Sequence, residues 1–462
     1  MNQSTHVRIA FCVFTTAMLL MTLPNPTTHA KQPNIIFMIA DDLGWADVEF
    51  HGGSVPTPNL NRLLKSGVEL QQHYVAPVCS PTRAGFLTGR YWSRFGVTTP
   101  TNQLGLPMKT VTVASALRDA GYTTCITGKW HLGSETRWGP NHFGFDHSYG
   151  SLAGGVTPWS HFYKKGIHSV TWHRNEELVT ETGHVTDLLT DEAVQWIEQQ
   201  KDNEPFFLYL PFTAVHLPIR ESDTWLERVP ESVAGNVPRQ YAACILHLDD
   251  AVGKIVQAVE TQGKRNNTII VFTSDNGGST SENNDTKYPD DGCPKGRLPG
   301  NNLPLRGKKG DLYEGGIRVP TIASWPGRIP ADSKSSTPLH IVDWMPTFCQ
   351  LAGTSKNDAN RLKWDGKNIW TVLTGEQTLA SRHLYSVGVH FRSQALRDGD
   401  WKLILFQNKG SKQERAELYN ITKDPSEKKN LASEEPVRLQ KMRQAMKTVA
   451  QNDRDSVAVI DD

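Results

Sequence analysis

Four short apolar runs in this chain each lead into a polar cluster, and that repetition constrains the fold more than any other feature. Asn34 to Ala40 (NIIFMIA) runs into Asp41-Asp42, and Thr268 to Ser274 (TIIVFTS) runs into Asp275-Asn276. Thr123 to Thr127 is followed by Lys129 and His131, and Phe206 to Leu210 by His216. Short apolar runs without alternation read as strands covered on both faces. Helix-like stretches separate them: Thr57 to Ser66, Val111 to Ala120, Val185 to Gln200 and Tyr241 to Gln262. Gly67 and Gly121 stop the first two, as glycine does where the chain must turn left-handed. The alternation predicts an α/β domain: a large mixed, mostly parallel sheet sandwiched by helices. Ligands of such sheets bind beyond the carboxyl ends of the strands, so four strands aim polar groups at one edge.

The chain has 462 residues, enough for one large domain and a smaller one. The pattern changes after about Trp370. Ser393 to Phe406 gives two short strands around Asp398-Gly399-Asp400, and Glu434 to Gln451 reads as an amphipathic helix. We therefore expect a catalytic domain over 31–370 and, over 371–462, a small α+β subdomain with an antiparallel sheet and a terminal helix. Ser279 to Asn302, rich in Gly, Pro, Asn and Asp, reads as a surface loop. The start reads as a signal peptide over 1–30: His6 and Arg8, an apolar run from Ile9 to Leu23, then Thr28-His29-Ala30 as cleavage site. Export follows, to the periplasm or outside the cell, or to the lysosome in a eukaryote, with no membrane attachment once the leader is gone. Lys plus Arg is 49 against 48 Asp plus Glu, which excludes a nucleic-acid protein or a polybasic membrane binder.

Asp41, Asp42, Asp275 and Asn276 offer only oxygen atoms. Three carboxylates meeting at a dry sheet edge repel unless a cation sits among them, and oxygen donors suit Ca²⁺ or Mg²⁺ better than zinc. Cys12 leaves with the leader, and Cys79, Cys125, Cys244, Cys293 and Cys349 remain. Their number is odd and no CxxC occurs, so they make neither a disulfide scaffold nor a zinc site. Cys79 stands apart. Pro81 and the run to Leu87 predict a helix opening at Cys79, where free N–H groups favour an anion, with Arg83 one turn on.

Cys79-Ser80-Pro81-Thr82-Arg83 resembles the CxPxR signature of the formylglycine-dependent sulfatases, and Leu87-Thr88-Gly89-Arg90 continues it. Gly128 to Gly133 (GKWHLG) is similar to that family's second signature. Ala40 to Trp45 (ADDLGW) and Ser274 to Gly278 (SDNGG) resemble its metal motifs, and Leu305 to Lys309 (LRGKK) with Tyr313 to Gly316 (YEGG) its lysine-bearing loop. Within the family, Val215 to Pro218 and Asn301 to Gly307 lean toward the arylsulfatase B, or N-acetylgalactosamine-4-sulfatase, branch.

The resemblance implies an alkaline phosphatase-like fold and hydrolysis of sulfate esters, on an aryl sulfate or on galactose or N-acetylgalactosamine of a sulfated polysaccharide. It implies that a maturation enzyme converts Cys79 to formylglycine, whose hydrate attacks sulfur and then expels sulfate. It implies Ca²⁺ on Asp41, Asp42, Asp275, Asn276 and residue 79. Arg83 would hold the hydrate, His131 would act as base, and His216, Lys309, Lys129 and Arg306 would bind sulfate, with His216 and Lys309 protonating the leaving oxygen. Trp159, His161 and Tyr163 are candidates for stacking on sugar, or equally for packing their own loop. The rivals are a phosphatase or phosphodiesterase on the same sheet, and a non-catalytic sulfated-glycan binder.

Overall fold

The computed structural model describes residues 1, 3, 31–284, 288–354, 362–407 and 414–459. Apart from positions 1 and 3, the expected leader lies outside the described residues. Ten strands form one sheet, in the order Ser333–Ser335, Val68–Leu70, Ile322–Ser324, Thr268–Ser274, Asn34–Ala40, Phe206–Pro211, Thr123–Lys129, His147–Ser151, Trp172–Arg174 and Glu177–Leu178. The central five, from Thr268–Ser274 to His147–Ser151, run parallel, and antiparallel partners flank them on both sides. The sheet is mixed and mostly parallel, as expected.

Side chains alternate across a strand, so each central strand supplies both faces. Ile35, Phe37 and Ile39 join one core with the helices Cys79–Thr88, Val113–Asp119 and Trp344–Leu351. Ile36, Met38 and Ala40 join the opposite core with Pro58–Lys65, Val185–Glu198 and Asn236–Thr261. Burial on both faces is why these strands read as unbroken apolar runs.

The C-terminal segment forms a four-stranded antiparallel sheet of His383–Val387, Ser393–Asp398, Trp401–Gln407 and Glu414–Asn420, followed by the helix Pro436–Ala450. Its Tyr385, Val387, Leu396, Leu403 and Leu418 belong to the same hydrophobic core as Phe37. The boundary expected near residue 370 thus separates two sheets but not two cores, and residues from Gln32 onward form one compact unit.

One buried ion network knits the second helical face. His247, on the Asn236–Thr261 helix, meets Glu221 through Nδ1 at 2.9 Å and Asp187 through Nε2 at 3.1 Å. Both ring nitrogens face carboxylates, which demands the doubly protonated ring. Burial opposes that charge, but Asp187 and Glu221 outweigh it and raise the pKa to about 9. A histidine raised in the folded state stabilises fully below its unfolded value of about 6.5, and the gain disappears as pH rises through 9. Asp187 is half exposed, which discounts the effect to an order of 2 kcal/mol. We expect the denaturant midpoint to fall between pH 6.5 and 9, and that slope to flatten in His247→Gln. An unchanged slope in the variant would assign the fall to other groups.

Candidate active site

Cys79 is the first residue of the Cys79–Thr88 helix, entered from Val78 in an extended conformation. The whole helix is buried, and Cys79 is only 1% exposed. Its Sγ lies 3.2 Å from His131 Nδ1, and Ser80 Oγ donates to the His131 carbonyl at 2.8 Å. One turn on, Arg83 donates to Asp275 Oδ2 at 2.8 Å and to the Lys129 carbonyl at 2.6 Å, while Thr82 donates to the Asp275 carbonyl at 2.6 Å. The helix is thereby bolted to two strand ends at once.

The acidic strand tips converge as the sequence predicts. The Asp42 amide donates to Asp275 Oδ1 at 3.2 Å, and Asn276 Nδ2 donates to Asp42 Oδ1 at 2.7 Å. Lys129 Nζ is paired with Asp41 Oδ2, and Lys309 Nζ donates to Asp42 Oδ2 at 2.8 Å. Asp42 and His131 hold left-handed backbones, with φ of 64° and 57°. That conformation costs a non-glycine residue of order 1 kcal/mol or more and persists where surrounding contacts impose it.

Asp41 Oδ1 and Asn276 Oδ1 are buried without a hydrogen-bond partner among the described residues. Two unpartnered buried oxygens among three carboxylates form an all-oxygen donor set, which fits a divalent ion of the calcium type. Asp41, Asp42, Asp275 and Asn276 would hold it. Burial, followed by repulsion from Asp275, pushes the Asp41 carboxyl far above its usual range.

Electrostatics assign protons to the remaining groups. Burial, then Lys129 and Arg83, drive His131 well below its ordinary pKa, so its imidazole is neutral. Burial, then Lys309 and Lys129, do the same to His216. His216 Nδ1 donates to the Leu217 carbonyl, which leaves its Nε2 as an acceptor, 3.8 Å from Asp42 Oδ2. Burial opposes the charge on Lys309, but Asp42 and Glu282 overcome it and hold the ammonium protonated. Burial, above all, raises the Cys79 thiol, with Asp41 and Asp275 pushing the same way against Lys129.

Cys79, His131, His216 and Lys309 face one cavity of about 520 Å³, the size of a small-molecule site. Glu282, Tyr163, Lys164 and Tyr288 complete its walls. Lys129 and Arg83 are fully buried behind the acidic tips and do not reach the cavity. Arg306, expected to bind substrate, turns away instead. Its guanidinium donates to Tyr419 at 3.0 Å, to the Glu427 carbonyl at 2.9 Å and to Tyr313 at 3.1 Å, which ties the lysine-bearing loop to the C-terminal sheet. Lys402 reinforces the tie from that sheet, meeting Glu314 at 2.9 Å and Glu427 at 3.0 Å.

Of the aromatic candidates, only Tyr163 faces the cavity. His161 is buried, stacked on Trp172 at 4.6 Å, and Trp159 packs against His184 at 5.0 Å, so both tie their loop to the neighbouring strand and helix. The segment from Ser279 to Asn302, expected to be a surface loop, is partly interior: Ser279, Asn284, Leu298 and Asn302 are buried. Asn284 accepts from the Ile219 amide at 2.6 Å and donates to its carbonyl at 2.9 Å, so this side chain is spent inside the fold. Glu282, which accepts from Lys309 at 2.8 Å, and Tyr288 come from this loop. Neither carries a periodic or motif signal that sequence reasoning could have used.

The family model described as Sulfatase matches residues 33–354, and one described as N-sulphoglucosamine sulphohydrolase, C-terminal, matches residues 308–454. Arylsulfatase J of Mus musculus is 30% identical over 463 residues, covering 89% of this chain and 74% of that protein. N-acetylgalactosamine-6-sulfatase of Mus musculus is 34% identical over 349 residues, covering 70% of this chain but only 63% of the relative. The crystal structure of Ps i-CgsB in complex with k-i-k-neocarrahexaose superposes with a TM-score of 0.80 at 31% identity, covering 93% of this chain and 95% of that one.

Proposed function

Because the chain belongs to the sulfatase family, we propose that it is a sulfuric ester hydrolase that removes O-sulfate from galactose or N-acetylgalactosamine of a sulfated polysaccharide, with Cys79 converted to formylglycine. The observation that carries this reading is the joint between the Cys79 helix and the acidic strand tip, made by Arg83 and Thr82 on Asp275. It sets the nucleophile position, which faces the cavity, against the acidic cradle buried behind it. The saccharide class is supported by a relative named for N-acetylgalactosamine and by a similar structure solved with a neocarrahexaose. The relatives include arylsulfatases and a 6-sulfatase, so the leaning toward a 4-sulfatase in the motifs does not fix the ring position. Export after removal of the 1–30 leader fits a polysaccharide substrate. Among the described residues no helix is long and apolar enough to cross a membrane.

The thiol itself is ill suited to attack: it is buried and its raised pKa withholds the thiolate. Formylglycine, once hydrated, supplies two hydroxyls at residue 79, one to attack sulfur and one to expel sulfate. The ion held by Asp41, Asp42, Asp275 and Asn276 would supply charge stabilisation to a sulfate oxygen. Lys309, facing the cavity as an ammonium, binds the sulfate and stabilises the charge that develops on the leaving oxygen. His216, on the same cavity, is the second side chain able to meet the sulfate and its leaving oxygen. His131, neutral and beside residue 79, accepts the proton that must leave before sulfate departs. Arg83 and Lys129 are positioning residues that neutralise Asp275 and Asp41.

The direct test is turnover of 4-nitrophenyl sulfate against 4-nitrophenyl phosphate by protein co-expressed with a formylglycine-generating enzyme. Sulfate is expected to be the better substrate, with activity lost on chelation and restored by Ca²⁺. Faster phosphate hydrolysis would sink the proposal in favour of the phosphatase rival.

Gly154 offers a finer check on His131. A Cβ at Gly154 would stand 2.3 Å from the His131 ring, so the imidazole must move. Gly154→Ala is expected to lower kcat on 4-nitrophenyl sulfate by about 100-fold, the scale of an ångström-sized misplacement, with little change in Tm. Full activity in this variant would remove His131 from its assigned role.

A further inference from the structure

The sulfatase reading accounts for the floor of the cavity but leaves one wall without a task. We propose that Lys164, set over the rings of Tyr163 and Tyr288, forms a second anion subsite, so that the preferred substrate carries another sulfate ester beside the one that is cleaved. The inference rests on the sulfatase reading and narrows its substrate class.

The first observation is an uncompensated charge. Every other cation of the site has a carboxylate partner: Arg83 has Asp275, Lys129 has Asp41, and Lys309 has both Asp42 and Glu282. Lys164 lines the same cavity, yet no carboxylate among the described residues pairs with it. Its ammonium instead sits 5.1 Å from the centre of the Tyr163 ring and 5.8 Å from that of Tyr288. The faces of these rings hold the charge in place without neutralising it. Tyr163 and Tyr288 are themselves braced edge to face, 5.9 Å apart and 89° between planes.

The second observation is independent. The Tyr288 hydroxyl is buried and has no hydrogen-bond partner among the described residues. Burial keeps the phenol protonated, so it remains a donor. Among the described residues this ammonium has no carboxylate and this hydroxyl no partner, so both can take acceptor oxygens, and a sulfate ester brings several with the right charge. Glu282, on the same cavity, is already paired with Lys309 at 2.8 Å and leaves Lys164 as the cation free to meet a second anion.

The experiment uses hydrolysis of 4-nitrophenyl sulfate as reporter and N-acetylgalactosamine 4-sulfate, 6-sulfate and 4,6-disulfate as competitors, on wild type and Lys164→Met. Wild type should bind the disulfate about tenfold more tightly than either monosulfate, the worth of one charge-assisted contact. That preference should fade as NaCl is raised. Lys164→Met should erase it, with a much smaller effect on kcat/KM for the aryl sulfate, because that substrate has no second anion. Tyr288→Phe, which removes only the hydroxyl, should erase part of it. Equal loss on the aryl sulfate in Lys164→Met would mean that Lys164 holds the scissile group, and would overturn the proposal. So would a wild type that ranks the disulfate no better than the monosulfates. A wild type inert toward every sulfate ester would instead sink the sulfatase reading, and this inference with it.

Discussion

Cys79→Ala should lose at least about 10⁴-fold in turnover of 4-nitrophenyl sulfate, the scale on which removal of a covalent nucleophile acts. The fold should survive. Cys79 is small, and Ala at the first position of a helix keeps its backbone and a fraction of its buried contact. Tm is therefore expected to move by only a few degrees, the response to roughly 1 kcal/mol. Cys79→Ser separates the possible chemistries further. A serine hydroxyl can take up a sulfuryl group but has no second hydroxyl on the same carbon to expel it. We expect a single burst of nitrophenol, at most one per protein, and then arrest. Peptide mass spectrometry of the wild type should show the CH₂–SH of residue 79 replaced by an aldehyde. Continued turnover in Cys79→Ala would end the proposed mechanism.

Asp275→Ala should damage stability and activity together. Arg83 and Asp275 are both fully buried and meet at 2.8 Å. Removing the carboxylate leaves a guanidinium with no nearer counter-charge than Asp41, at 3.7 Å. Breaking a buried pair from one side costs about 3–5 kcal/mol. The same change deletes one ligand of the divalent-ion cradle, so aryl sulfate activity should fall to background. Asp275→Asn discriminates the two losses. It keeps an oxygen for Arg83 but removes a charge from the cradle, and should recover much of the lost Tm while activity returns only at raised Ca²⁺. If Asp275→Ala were as stable as wild type, the joint between helix and strand would not have the structural role given to it here.

Legibility in the sequence followed burial. Asn34–Ala40 and Thr268–Ser274 end where expected because central parallel strands are covered on both faces, and an apolar run marks such a strand from end to end. The helix Asn236–Thr261 starts before the expected Tyr241 because its first turn, with Pro238, carries little apolar periodicity. Short outer strands such as Ile322–Ser324 and Trp172–Arg174, each one of the antiparallel flanks of the central five, have three residues each, too few to show any period. The same divide runs through the site. Asp41, Asp42, Asp275, Asn276, Cys79 and His131 were legible because each follows an element or opens one. Glu282 and Tyr288 were not, since only the path of an aperiodic loop brings them to the cavity. The side on which Lys129 and Arg306 act was equally hidden, because motif membership says nothing about which way a long side chain turns.

The ties from Arg306 and Lys402 to the lysine-bearing loop bear on how such an enzyme can change its diet. Lys402 answers two buried carboxylates, and the loop it steadies carries Lys309. A C-terminal segment traded in from a relative would have to bring the same counter-charges or unseat Lys309. Change toward new glycans is least constrained by these ties in stretches that bond to neither Arg306 nor Lys402, such as those carrying Lys164 and Tyr288. Those stretches supply Lys164, Tyr288 and Glu282, so relatives with the same catalytic floor should differ first, and most, there.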